Sequence, residues 1–161
     1  HLEQQLPEAM SALTTVSACQ PGVLGQTGVE SLDLVRHVMQ QTRPDVVIVI
    51  DALAAAEPGR LFCTVQLTDA GIVPGSGVGN SRMEFSRRTL GVPVVAVGVP
   101  AVVDADGLFP DAQEPVPRGL LVTVGDVDAR VREMGRLVGY GCNLALQRSI
   151  TLAEIPTFLS E

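Results

Sequence analysis

The stretch DVVIVIDALAA, Asp45–Ala55, decides how this chain of 161 residues is read. The residues from Val46 to Ile50 are all β-branched, and they run directly into a carboxylate, Asp51. A run that is apolar on both faces marks a strand covered on both sides, as in a parallel sheet. In an open α/β sheet, ligands gather outside the carboxyl ends of the strands. Asp51 is therefore expected at the end of the most buried strand, where loss of water would raise its pKa. The competing structural role is an N-cap for a helix or turn starting at Ala52, since Asp caps well and ALAAAE is helix-prone.

Working outward, VESLDLVRHVMQQTRP places Val29, Leu32, Val35, Val38 and Met39 at helical spacing, and Pro44 stops the run. The glycine-rich PGVLGQTG, Pro21–Gly28, reads as a turn in front of it, and Thr14–Gln20 as strand-like. Downstream, Arg60–Asp69 and Val92–Pro100 read as strands, with a short helical piece near Arg82–Thr89 between them. Leu120–Val124 reads as a short strand or a lead-in to the next element. Residues 105–119, rich in Pro and acids, read as an exposed connection. A helix with Val127, Val131, Met134, Val138 and Leu144 on its apolar stripe follows, opened by a Thr123/Asp126 capping box. A second box, Thr151 and Glu154, precedes a short terminal helix. Strands alternating with helices imply a single α/β domain with a mainly parallel sheet flanked by helices.

Composition narrows the function. The chain is 46% hydrophobic with only 3% aromatic residues and no Trp, so its core rests on Val, Leu, Ile and Ala. The net charge of −7 argues against phosphate-backbone binding and leaves a basic partner open. No apolar run reaches the length of a membrane span. Cys19, Cys63 and Cys142 are odd in number and widely spaced, which reads as reduced thiols in a cytoplasmic protein. Neither they nor His1 and His37 have the spacing of metal ligands, and no cofactor is expected. No GxSxG elbow is present.

The loop PGSGVGN, Pro74–Asn80, is the second candidate site element. Gly75, Gly77 and Gly79 permit close backbone approach, and Ser76 and Asn80 lie among them. Successive amides in such a loop can form a concavity for an anion or oxyanion, with a tight structural turn as the plain alternative. Asp69 and Asp104 are further acids that could line a cleft with Asp51. Two carboxyls sharing one proton can activate water and protonate a leaving group.

The segments PGVLGQTGVES, IDALAA, DAGIVPGSGVGN, TLGVPVVAVGVPAVVDA and GCNLAL occur in this order, from Pro21 to Leu146. Together they closely resemble the spore germination protease family. The resemblance implies an atypical aspartic endopeptidase that degrades small acid-soluble spore proteins during germination in the spore core. It implies an α/β fold similar to the hydrogenase-maturation proteases, a zymogen and a homotetramer. It also implies two catalytic aspartates, of which one maps onto Asp51. The other lies upstream in a T-P-D segment that this sequence does not contain, so the chain is read as an N-terminally truncated, inactive portion lacking that acid and the first strand. Where the family has D-T-G-I-H-P-G this chain has DAGIVPG, with Ala70 and Val73 in place of Thr and His. Ala56 stands where the family has Arg. These departures keep a second reading open, a non-proteolytic binding protein of sporulating cells on the same fold.

Overall fold

The structure, a computed structural model, describes residues 13–105, 108, 119–149 and 151–153. The chain falls into two compact units, one comprising 19–131 and the other 1–18 with 132–161. Each is described by itself.

The larger unit is built on β3, Val94–Asp104. It pairs in parallel with β1, Val47–Ala55, along the whole length of that strand. Its other side carries two short antiparallel strands, β2 (Gln66–Thr68) opposite Ala96–Gly98 and β4 (Leu121–Val122) opposite Val103 and Asp104. Among the described residues the sheet is thus mixed, with one parallel pair, where a mainly parallel one was expected. The fold class remains α/β. The most buried strand is β3, with Val94, Ala96, Val97 and Val103 at 5% exposure or less. β1 is not: none of its nine residues is buried, and Ile50 is 56% exposed. Among the described residues β1 has a neighbour on one side only, which leaves its second edge and part of its apolar run uncovered.

Two expected strand ends move. β3 does not stop at Pro100 but continues to Asp104. Proline cannot donate to a ladder and is tolerated at irregularities. Pro100 falls in the interval between β2 and β4, beside a register shift in which Leu53 pairs with Pro100 and Ala54 with Val102. Its carbonyl accepts from Phe62 N at 2.8 Å, and the carbonyl of Ala101 accepts from the Thr123 hydroxyl at 2.7 Å. Thr123 is therefore spent on the sheet rather than on a helix cap. The strand expected over Arg60–Asp69 is confined to β2, because Pro58–Arg60 form a 3₁₀ turn and Phe62 has φ +53°.

Two helical elements depart from the sequence reading: the stretch 21–28, expected as a turn, contains a short helix, and the piece expected near Arg82–Thr89 is helical only over Arg87–Leu90. α1, Leu24–Thr27, is closed by Gly28 at φ +69°. α2, Ser31–Thr42, buries Leu32 completely and ends on Arg43 in the left-handed region, just before Pro44. Arg36 on α2 donates through Nε and Nη2 to the carbonyl of Thr89, at 3.3 and 3.0 Å, and so fixes α3, Arg87–Leu90.

α4 spans Val127–Leu146. Asp126 accepts its first backbone bonds and pairs with Arg130. In the smaller unit the Gln147 side chain exchanges two bonds with the backbone of Thr14, at 2.7 and 2.9 Å. Thr14–Gln20, expected as strand, forms none. Most of the 105–119 connection, and Glu154 of the second capping box, lie outside the described residues.

Candidate functional site

Asp51 is the fifth of nine residues in β1, not its last. Four more residues, roughly 13 Å of strand, follow it. The helix-prone Ala52–Ala55 is held extended by pairing with Val99–Val103, so Asp51 caps no helix. Its neighbours are given by the register. Asp51 stands opposite Gly98, and Gly98 in turn opposite Gln66. On this face the row therefore reads carboxyl, hydrogen, amide.

The direction of the carboxyl follows from the ladder. Val47 donates its N–H to Pro93 on the β3 side. In a parallel pair such bonds recur at alternate residues. The N–H groups of Ile48, Ile50 and Ala52 then turn to the outer edge of β1. Asp51 Oδ1 accepts from Ala52 N at 2.9 Å. The carboxyl therefore leans to that edge, away from β3. Burial pushes its pKa above the ordinary aspartate range, and the Ala52 N–H partly offsets this by stabilising the ionised form. No charged side chain contributes to the shift.

The other acids are not beside it. Asp104 lies six residues beyond Gly98 on β3 (104 − 98), about 20 Å along the sheet. Asp69 is exposed in a bend after β2, three residues from Gln66 and two strands across from β1, on the order of 14 Å away. Among the described residues no group of three His, Cys, Asp or Glu side chains could hold a metal ion. No helix among them is long and apolar enough to cross a membrane. The three cysteines are free.

The glycine loop is a closed turn. Gly75 and Gly79, at φ +72° and +69°, bracket a 3₁₀ turn, Ser76–Val78. Gly75 O accepts from Val78 N and Asn80 N at 3.2 and 2.9 Å, and Ser76 N donates to Val73 O. The amides of Ser76, Val78 and Asn80 are thus used inside the turn rather than offered to a ligand. The loop meets β1 at Ala54, three residues beyond Asp51: a Cβ on Gly77 would stand 2.8 Å from Ala54 Cβ. The preceding segment is anchored separately, through the two bonds that Ile72 exchanges with Phe85. Ala70 and Val73 flank that bridge.

Leu53 is the neighbour of Asp51 on this face that a reading of the sequence missed. It shares the face of Asp51 and reaches over Gly98, so that a Cβ on Gly98 would lie 2.7 Å from Leu53 Cγ. The alternation of β1 shows the shared face, but only the pairing with β3 reveals the glycine.

Comparison with known proteins gives the family. A family described as Germination protease matches residues 1–116, which include Asp51, the glycine loop and β3. The Germination protease of Clostridium acetobutylicum is 36% identical over 198 residues, covering 99% of this chain and 61% of that protein. Those of Bacillus cereus (strain AH187) and Bacillus thuringiensis subsp. konkukian are each 51% identical over 112 residues, covering 69% of this chain and 30% of theirs. This chain thus spans less than two thirds of the length of these relatives. A match that carries the carboxylate strand, its β3 partner and the glycine turn together is more than a shared fragment, and the chain belongs to the germination protease family.

Proposed function

We propose that this chain is the Asp51-bearing portion of an aspartic-type endopeptidase that degrades small acid-soluble spore proteins at germination. The observation that carries the reading is the state of Asp51. A half-buried carboxyl with a raised pKa, turned to the outer edge of β1, is suited to hold or exchange a proton. Peptide hydrolysis by acids needs two of them: one deprotonates water while the other, protonated, polarises the scissile carbonyl. Asp69 and Asp104 stand too far away for this. The partner is the aspartate that the family resemblance places upstream, and the outer edge of β1 is the side from which it can approach. The glycine loop positions an extended substrate through its shape. Assembly as a homotetramer, synthesis as a zymogen and residence in the spore core belong to the same reading.

The test is cleavage of a small acid-soluble spore protein by the full-length protein, with and without Asp51→Asn. Loss of about 10²–10⁴-fold in rate is expected. Normal cleavage by the variant defeats the proposal. The second reading, a non-proteolytic binding protein, draws on Ala56, Ala70 and Val73. It is favoured if the unmodified full-length protein binds the spore protein without cutting it.

A further inference from the structure

Gly98 and Leu53 form a matched pair beside Asp51. Gly98 is opposite the carboxylate in the register and has no side chain to place there. Leu53, two residues along β1 on the same face, folds back over the vacancy. An ideal Cβ on Gly98 would lie in hard contact with Leu53 Cδ1, 2.7 Å from Cγ and 3.1 Å from Cδ2. Leucine therefore occupies the β3 flank of Asp51, where a β3 side chain would ordinarily stand. With that flank filled by hydrocarbon, the carboxyl turns the other way and takes the Ala52 N–H at the outer edge.

We propose that Leu53, seated in the side-chain space left by Gly98, is the positioning residue of Asp51 and directs its carboxyl to the outer edge of β1. This deepens the proposed function and rests on its assignment of Asp51. It explains why a glycine sits inside the most buried strand, where it weakens packing and commonly marks a close approach. It also accounts for the upward push on Asp51, since apolar contact on one flank removes water without supplying a hydrogen bond. The groups on this face are Val47, Val49 and Leu53 of β1, Val94, Ala96, Gly98 and Pro100 of β3, and Gln66 and Thr68 of β2. None titrates. The turn Ser76–Val78, which meets β1 at Ala54, carries no charge either.

The experiment follows Asp51 directly, without substrate, so it is independent of catalysis. The Asp51 carboxyl is titrated by carbon-13 NMR in the unmodified protein and in Leu53→Ala, Leu53→Met, Gly98→Ala and the Leu53→Ala/Gly98→Ala pair. The Ala52 amide proton shift is recorded alongside, because its bond to Oδ1 makes it report the orientation of the carboxylate. In Leu53→Ala the Asp51 midpoint is expected to move down toward the ordinary aspartate value, with weakening of the pH-dependent Ala52 signal. Leu53→Met, which conserves volume, retains both. Gly98→Ala alone lowers the melting temperature by crowding Leu53, and adding Leu53→Ala restores folding but not the Ala52 signal.

Should Leu53→Ala fail to fold, Leu53→Val opens the same flank by one carbon and is read in the same way. An unchanged midpoint and Ala52 titration in a folded Leu53→Ala or Leu53→Val protein overturns the proposal. So does a Gly98→Ala defect that Leu53→Ala does not relieve. If Asp51→Asn leaves cleavage intact while the Leu53 effects appear, the positioning stands and the catalytic assignment falls.

Discussion

Replacing Gly75 by alanine tests whether the glycine loop is a strained, closed turn, and Gly79 supplies the control. Both residues have left-handed backbones, φ +72° and +69°. An alanine in that region costs about 1–2 kcal/mol. Against this, the stiffer unfolded chain returns about 0.4–1 kcal/mol. For Gly79→Ala nothing else changes, because a Cβ there meets no atom within 4 Å. Its net cost is about 1 kcal/mol.

At Gly75 the added carbon runs into the carbonyl of Asn80, 3.0 Å from its carbon and closer still to its oxygen. Backbone cannot yield as a side-chain tip can, so Asn80 must swing away. That motion breaks the bonds from Asn80 N and Val78 N to Gly75 O. At about 1 kcal/mol each, the total rises to about 3 kcal/mol. For a chain of this length 1 kcal/mol moves the melting temperature by about 2–4 °C. Gly79→Ala should then lower it by about 2–4 °C and Gly75→Ala by about 6–12 °C, read by circular dichroism at neutral pH. Equal shifts for the two variants would refute the closed turn, since they share every term except the Asn80 contact.

Two further perturbations probe the site and its support. A carboxyl with a folded pKa above its unfolded one binds its proton more tightly in the native state, so stability falls as pH rises through that window and the loss is complete above it. Asp51→Asn removes the cost and keeps an oxygen for Ala52 N–H. Urea titration should therefore show the variant slightly more stable at pH 7, by less than about 1 kcal/mol for a half-exposed group, and the difference should vanish below the window. A variant less stable at pH 7 than at pH 3, relative to the unmodified protein, contradicts the sign. Leu32, with no exposed surface, anchors α2, and Leu32→Ala should cost about 2–5 kcal/mol in the same assay. The exposed Gln40→Ala on that helix should stay within about 0.5 kcal/mol. A comparable loss at both positions would place the helix differently.

What could be read from the sequence follows a physical division. Periodicity is local, so α2 and α4 were visible in their spacing, as was the continuous apolar run of β3. The limits of strands are not local. Ala52–Ala55 favours a helix by propensity and is extended because Val99–Val103 pairs with it. Pro100 looks like a terminator and is not one, because it falls between two short partners. The β-branched run of Val46–Ile50 suggested a strand enclosed on both sides, yet enclosure depends on neighbours, and among the described residues β1 has one.

The same division governs the site. A sequence names the carboxylate but does not say what stands across from it. The register supplies that: a glycine on β3, filled by a leucine from β1 itself. The environment of Asp51 is in this sense a product of strand pairing. A shift of β3 by one residue would put Val97 or Val99 in place of Gly98 and close the face against Leu53. The register shift between Leu53 and Ala54 comes just after this row rather than before it. The irregularity that Pro100 imposes is therefore absorbed downstream, and the pairing that holds the carboxylate opposite glycine is left regular.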